Sequence, residues 1–254
     1  MKKIFAFVVV TGLLMGGSGI ASALTLFDRG LPDSNLNNAS GSSRSNVAWA
    51  EGGTLFDGDT FSIGTTGQAY VIDSLTVWGI QAPLGTGINN IDLYMGMSTD
   101  PLALLLSGSV TGNSNISFTQ VNYPGGTTNY QGTSGTLYPL MEATFSNLNY
   151  VVQGGVTYNF GVNGTGGTGL WYNHASNAGL SGTTQDGADG NLLVFDTSNL
   201  SYVAVWDSNG SGWDKSSDIN VRITGAPVPI PGALVLFGSG LLGLVGIGRK
   251  RLQK

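Results

Sequence analysis

The chain of 254 residues contains 41 glycines and no cysteine, and only 10 % of its residues are charged. Ten residues are basic and fifteen are acidic; six of the basic ones lie in the terminal segments, whereas all the acidic ones lie between them. This acidic central region argues against a nucleic-acid partner, because phosphate neutralisation needs Lys and Arg. It is compatible with cation binding or a neutral polysaccharide, and without cysteine it has no disulfide framework.

The N-terminal segment has the features of a secretory signal peptide. Two lysines form a basic start, residues 4–14 are mostly apolar, and Ala21 and Ala23 form an A-x-A cleavage motif. A second membrane span is the alternative, but the apolar run is short and ends in small residues. We expect signal peptidase to remove residues 1–23, so that the exported chain begins at Leu24.

Short β-branched and aromatic runs, separated by clusters of Gly, Asn, Asp, Ser and Thr, repeat along residues 24–226. Apolar and polar residues alternate most clearly in Val156–Val162 and Ile219–Thr224, as in strands with one buried face. The other predicted strands are Asn46–Ala50, Thr60–Ile63, Gln68–Ile80, Ile91–Met97, Leu102–Val110, Ile116–Val121, Leu137–Phe145, Tyr150–Val152, Gly169–Asn173, Leu192–Phe195 and Tyr202–Trp206.

Turn signals recur about every eight to twelve residues, which is the spacing typical of β-sandwiches and barrels. We therefore predict an all-β fold in which residues 24–226 form a single, jelly-roll-like β-sandwich. A short irregular segment at Asp28–Arg44 is expected near its start. The Gly- and Thr-rich loops at Tyr123–Gly135 and Gly164–Gly169 are too short to separate two domains.

Two acidic clusters are rich in the oxygen ligands that Ca²⁺ prefers. The first is D-G-D-T, starting at Asp57, and the second is D-G-A-D-G-N, in which Asp186, Asp189 and Asn191 are the better candidate ligands. Neither follows the EF-hand pattern, and Asp, Gly and Asn are also the common residues of tight turns. A turn is thus the main prediction for both, with Ca²⁺ as the only candidate cofactor.

Aromatic residues suggest a second kind of binding site. Trp78 and Trp206 lie within apolar runs and are predicted to be core residues. Trp171, Tyr172 and Trp213 flank loops instead, and are candidates for stacking on the apolar faces of sugar rings.

Catalytic motifs are poorly represented. His174 is the only histidine, so a metal site built on several histidines is excluded, and no G-x-S-x-G nucleophile motif accompanies it. We expect His174 to be a polar loop or strand-end residue. A carboxylate pair for glycoside hydrolysis needs a fixed separation across a cleft, which a sequence alone does not define. The prediction is a non-enzymatic protein.

The C-terminal segment has three parts. Alternating prolines at 227–231 favour an extended stalk. Residues 232–248 carry no charge and would form a helix of roughly 25 Å, just long enough to span a bilayer. The basic residues of 249–254 place the C-terminus in the cytoplasm. A plain single-pass anchor and a buried core helix are the alternatives.

The same three parts resemble the PEP-CTERM sorting signal of exosortase substrates. The matching residues are Val228, Pro229, Ile230 and Pro231, followed by the Gly/Leu-rich helix and by Arg249, Lys250 and Arg251. Ile230 stands where the commonest form has Glu, so the resemblance is to the apolar Val-Pro-Leu-Pro-Ala variant. It implies a Gram-negative exporter, processing by a membrane-embedded exosortase, and a cell-surface or matrix destination.

Together these features predict an exported protein, anchored in the inner membrane by its C-terminal helix before it reaches the surface or extracellular matrix. Its expected partners are signal peptidase, exosortase, the inner membrane and a polysaccharide of a matrix or biofilm. Two alternatives remain for the exported region: a carbohydrate-binding adhesin module, or a secreted glycan hydrolase or lyase.

Overall fold

A computed structural model describes residues 23–30, 54–121, 129–131, 137–177, 192–206 and 217–229. These residues form an all-β structure of antiparallel strands, with no helix among them. The strands are β1 (Leu24–Asp28), β2 (Leu55–Ser62), β3 (Ala69–Ala82), β4 (Asn90–Met97), β5 (Ala103–Ser109), β6 (Ile116–Gln120), β7 (Asn129–Gln131), β8 (Leu137–Pro139), β9 (Met141–Phe145), β10 (Tyr150–Gln153), β11 (Thr157–Thr165), β12 (Leu170–Asn173), β13 (Ala175–Asn177), β14 (Leu192–Asp196), β15 (Tyr202–Trp206), β16 (Ser217–Ile219) and β17 (Val221–Pro227).

Two large sheets contain most of these strands. The first has the order β1-β17-β3-β9-β6, and the long strand β3 also pairs with β10 and β12. The second has the order β15-β14-β2-β11-β4-β5. Two short ribbons, β13–β16 and β7–β8, complete the described part. Because most neighbours in the sheets are not consecutive in sequence, the strands must cross repeatedly from one sheet to the other.

The main core lies between the two sheets. Val77 and Phe145 from the first sheet belong to the same buried cluster as Leu93 and Phe160 from the second. The aromatic residues that follow Val77 and Leu93 along their strands, Trp78 and Tyr94, belong to other clusters, so one face of each sheet points into this core. The fold is therefore sandwich-like, and its stability rests mainly on apolar burial between the sheets.

A second apolar cluster lies on the outer face of the second sheet, and consists of Phe56, Tyr94, Leu102, Leu193 and Phe195. The Phe56 ring lies 4.9 Å from that of Tyr94 and 5.7 Å from that of Phe195, measured between centroids. Glycines make room for these rings. A Cβ at position 161 would collide with Phe56, and one at position 58 would collide with Phe195.

Strand register defines two ends of the structure. At the stalk end, Gln153 pairs with Ala69, and Pro227 pairs with Tyr70. At the far end, Leu170 pairs with Ala82, the last residue of β3. The two ends lie roughly 40 Å apart, since a strand rises about 3.3 Å per residue.

Most predicted strands that fall on the described residues are confirmed as strands, with displaced ends. The predicted strand Leu137–Phe145 is instead divided at Leu140 into β8 and β9, which belong to different sheets, and Ile219–Thr224 is divided at Asn220 between β16 and β17. The prediction of an irregular segment starting at Asp28 is wrong at its beginning: Asp28 ends β1, which pairs with β17. The predicted strand Asn46–Ala50 lies outside the described residues. The part of the chain that the structure describes holds no helix that is long and apolar enough to cross a membrane. The predicted span at 232–248 lies outside that part.

Candidate functional site

The stalk end brings the two boundaries of the predicted exported region together. Leu24, the expected first residue after signal cleavage, pairs with Gly225 near the end of the last strand. The preceding Ala23 is exposed. The first and last strands are thus neighbours, so the chain enters and leaves the fold on the same side.

The start of the predicted sorting signal is attached to this end of the fold. The amide of Val228 donates to the carbonyl of Ala69 at 2.8 Å. The side-chain amide of Gln68 donates to the Val228 carbonyl at 2.9 Å and to that of Ala69 at 2.7 Å. Pro229 follows as an exposed residue. The fold therefore continues to the first residue of the Val-Pro-Ile-Pro motif.

Several other predicted functional residues lie outside the described part of the chain. They are Ala21 of the cleavage motif; Ile230, Pro231, Arg249, Lys250 and Arg251 of the sorting signal; Trp213; and the candidate Ca²⁺ ligands Asp186, Asp189 and Asn191. Their roles stay predictions. Within the described residues, no group of three or more His, Asp or Glu side chains could hold a metal ion.

A buried ion pair joins the two sheets just beyond β1. The Arg29 Nη1 lies 2.6 Å from Oδ2 of Asp59, and both side chains are inaccessible to solvent. Arg29 also donates from Nη2 to the carbonyl of Thr60 at 2.7 Å. Asp59 further accepts the backbone amides of Thr60, at 2.6 Å, and Ile219, at 2.8 Å. The carboxylate and the guanidinium are thus both hydrogen-bonded as well as paired, as buried charges require.

Opposing effects act on the carboxyl group of Asp59. Together they raise its pKa from 3.8 to about 7: burial is the largest cause of the rise, the Arg29 guanidinium lowers the pKa, and the nearby Asp218 carboxylate raises it. The two backbone amides lower it further. Because burial has the largest effect, the Asp59 carboxyl group loses its proton around neutral pH, and the charged pair predominates at higher pH.

A second set of hydrogen bonds holds the backbone of Arg29. His174 Nδ1 lies 2.7 Å from Oδ1 of Asn220, and the Asn220 amide donates to the carbonyls of Arg29 and Gly30 at 3.2 and 3.1 Å. His174 lies between β12 and β13, at a strand end as expected, but it is fully buried rather than in an exposed loop. Its contacts bind it to the framework, and no substrate could reach it.

The D-G-D-T cluster at Asp57 is not a turn, and this prediction is wrong. These residues form the middle of β2, where Gly58 pairs with Gly161 of β11 and with Leu193 of β14. Asp57 and Asp59 alternate with outward residues and are both fully buried. Among the described residues, neither oxygen of Asp57 has a hydrogen-bond partner. Burial raises the pKa of Asp57 from 3.8 to about 8, so it is mainly protonated at neutral pH.

The expectation that Trp171 offers a surface for sugar stacking is also wrong. Trp171 is fully buried, its ring centroid lies 5.5 Å from that of Phe118, and its indole N–H donates to Asn173 Oδ1 at 2.8 Å. Tyr172, which alternates with it along β12, is half-buried and packs against the small cluster of Trp78, Ile80 and Leu140. Trp78 is a core residue, as predicted.

Sequence reasoning missed the ion pair of Arg29 and Asp59. One signal could have indicated it. The region between the terminal segments has only four basic residues, and Arg29 directly follows an alternating apolar run, L-T-L-F-D. A cation beside the first strand of an acidic domain is a candidate partner for a buried carboxylate.

The described part of the chain is thus an all-β, sandwich-like unit with adjacent termini and a buried polar network between its sheets. No known family model matches the sequence, and neither the curated proteins nor the solved structures contain a significant match. Function has to be inferred from the residues themselves.

Proposed function

We propose that the protein is exported, sorted by an exosortase and displayed at the cell surface or in an extracellular polysaccharide matrix, in a non-enzymatic role. The exported region is a single jelly-roll-like β-sandwich. It is anchored briefly in the inner membrane by residues 232–248, with the C-terminus in the cytoplasm.

The observation that carries this proposal is the pairing of β1 with β17. The fold begins one residue after the predicted signal cleavage site and ends at Val228, the first residue of the predicted sorting signal. If the signal peptide and the sorting signal are both removed, the segment between them is expected to fold as a domain, and the observed fold extends from one signal to the other. Because both ends leave on the same side, the fold can form while both hydrophobic segments are still in one membrane.

Buried carboxylates favour a non-enzymatic role over glycan hydrolysis. Hydrolytic carboxylates must face each other across a cleft that admits the sugar. Asp57, Asp59 and Asp218 are all fully buried, and Asp59 is held by Arg29 and two backbone amides.

Expression in a Gram-negative host with and without its exosortase tests the proposal. We expect the full chain to reach the surface in a shortened form only when exosortase is present. Replacing Arg249, Lys250 and Arg251 together by Gln should leave the chain unprocessed, whereas Lys254→Gln, just beyond the cluster, should have no effect. Surface display of a chain lacking residues 230–254 at the normal level would contradict the proposal.

A further inference from the structure

An open groove occupies the far end of the structure, away from the stalk. It has a volume of about 360 Å³, within the range of small-ligand sites. Its lining combines a phenol, an amide, two hydroxyl groups and two apolar side chains with the backbone of a glycine-rich turn at residues 164–169. The lining side chains are Leu55, Tyr94, Asn163, Thr165, Leu170 and Thr197.

Tyr94 is the aromatic residue of the groove lining. Its ring packs on Phe56 and is only 8 % exposed, so it is held in one position. Burial and the neighbouring Asp92 raise the pKa of Tyr94 above its ordinary value of 10.0, so the phenol is protonated at physiological pH. The groove lining therefore includes an uncharged phenol that is held in place by packing.

Asp92 orients the polar groups beside Tyr94. It lies on the same outer face of β4 and is paired in register with Asn163 of β11. Its carboxylate accepts the Ser107 hydroxyl at 2.5 Å and, at 3.5 Å, the hydroxyl groups of both Thr165 and Tyr94. Because its oxygens accept these hydrogen bonds, Asp92 orients the hydroxyl groups of Tyr94 and Thr165, which line the groove.

The glycine-rich turn forms a preorganised wall. Its carbonyl at Thr165 accepts the Asn89 amide at 3.0 Å, and the Gly169 amide donates to Gly87 at 3.1 Å. The Asn89 side chain also donates to the Gly166 carbonyl. At Gly167 the turn approaches the backbone of Gly87 so closely that a Cβ would collide with it. A wall fixed before binding loses little entropy when a ligand arrives.

Among the described residues that line the groove there is no Lys or Arg, and the Asp92 carboxylate is hydrogen-bonded to the lining residues Tyr94 and Thr165. These lining side chains offer an anionic ligand no counter-charge. Amide and hydroxyl groups next to leucine side chains instead suit a neutral ligand with many hydroxyl groups and small apolar faces. We propose that this groove binds a neutral oligosaccharide, at the end of the domain that points away from the membrane anchor. Such binding does not depend on how the chain is sorted.

Titration of the full chain in sugar-free detergent with neutral hexaoses tests this site. The probes are the hexaoses of cellulose, starch, mannan and xylan, with hexagalacturonate as an acidic comparator. Removing one hydrogen bond to a hydroxyl group changes a dissociation constant about two- to tenfold. Thr197→Val at the rim and Asn163→Ala in the wall should each weaken binding by that factor, and the double variant by their product.

Thr119→Val, on the exposed face of β6 in the other sheet, is the matched control and should bind like the wild type. Unfolding midpoints of all the variants show whether the fold is retained. Saturable binding of at least one neutral hexaose, weakened as stated, supports the site. Absence of saturable binding, preference for hexagalacturonate, or wild-type affinity in the folded double variant would overturn it. None of these outcomes affects the sorting assay.

Discussion

Arg29 and Asp59 form an ion pair that is inaccessible to solvent, with Nη1 and Oδ2 only 2.6 Å apart. Arg29 directly follows β1 in the first sheet, and Asp59 lies in the middle of β2 in the second. The pair therefore ties the start of the described fold to the opposite sheet. Since the sequence has no cysteine, such polar contacts and apolar packing hold the sheets together without disulfides.

Asp59→Asn should destabilise the fold strongly, because it removes the charge of the carboxylate that lies 2.6 Å from the buried Arg29 guanidinium. Breaking a buried pair in this way costs about 3–5 kcal/mol. The matched control is Asp28→Asn, since Asp28 pairs with Arg222 at 3.0 Å but the two side chains are 32 % and 36 % exposed. Exposed pairs contribute about 0–1 kcal/mol. Urea unfolding at pH 8 measures both free energies, and equal losses would contradict this account.

Asp57 should make the protein less stable as the pH rises. The unfolded chain loses this proton near pH 3.8, whereas the folded protein keeps it until about pH 8. Between these values the folded state binds more protons, so the free energy of unfolding falls with pH by at most about 1.4 kcal/mol per pH unit. Below pH 3.8 both states are protonated and the penalty is absent. Above pH 8 the penalty is complete.

Asp57→Asn removes this effect. The variant should be more stable than the wild type at pH 9 and close to it at pH 4, as measured by urea unfolding midpoints. The pKa of Asp59 is raised as well, so the stability of both the wild type and the variant should also fall with pH because of Asp59. The difference in stability between the two proteins at each pH therefore reports on Asp57. Asp100→Asn, in an exposed turn, should follow the wild type at every pH. A constant difference between Asp57→Asn and the wild type would contradict the prediction.

Trp171→Ala should unfold the protein more easily without creating a defect that is specific to sugar binding. Removing a large buried aromatic side chain costs about 3–5 kcal/mol, and here it also leaves Asn173 Oδ1 without its indole donor. Tyr172→Ala, at the half-buried neighbouring position, should cost less. Thermal unfolding ranks the two variants. If Trp171→Ala kept wild-type stability but lost affinity for a glycan, the original surface assignment would be restored.

The sequence predicted the strands well wherever apolar and polar residues alternate. Residues 156–162 and 219–224 have that pattern, and most of them lie in β11 and β17. The prediction failed in the first part of β2, L-F-D-G-D, because Asp and Gly normally mark turns. Here burial between two sheets and pairing on both sides override the low strand propensity of these residues. Local composition carries no information about a partner such as Arg29, 30 residues away.

Site predictions depended even more on tertiary context. Trp171 flanks a glycine-rich loop, and this position suggested exposure, but loop proximity does not determine which face of a strand points inward. The groove residues Asn163 and Thr165 gave no signal in sequence, because amides and hydroxyls occur throughout this chain. They become a candidate site only through the register of β11 with β4, which aligns Asn163 with Asp92.

Gln68 should control how much of the stalk is free for processing. Its side-chain amide holds the Val228 carbonyl at 2.9 Å, next to the bond from the Val228 amide to Ala69. Gln68→Ala removes two side-chain hydrogen bonds from this junction, one to Val228 and one to Ala69, so local opening should become easier. The Val228 amide should exchange with deuterium about two- to tenfold faster, as measured by mass spectrometry of the peptide at 224–229.

Gln120→Ala, exposed at the end of β6, is the control and should leave that exchange unchanged. If the Gln68 variant exchanged at the wild-type rate, the side chain would not restrain the stalk. Faster exchange together with faster exosortase cleavage would show that the fold limits access to the first residue of the motif.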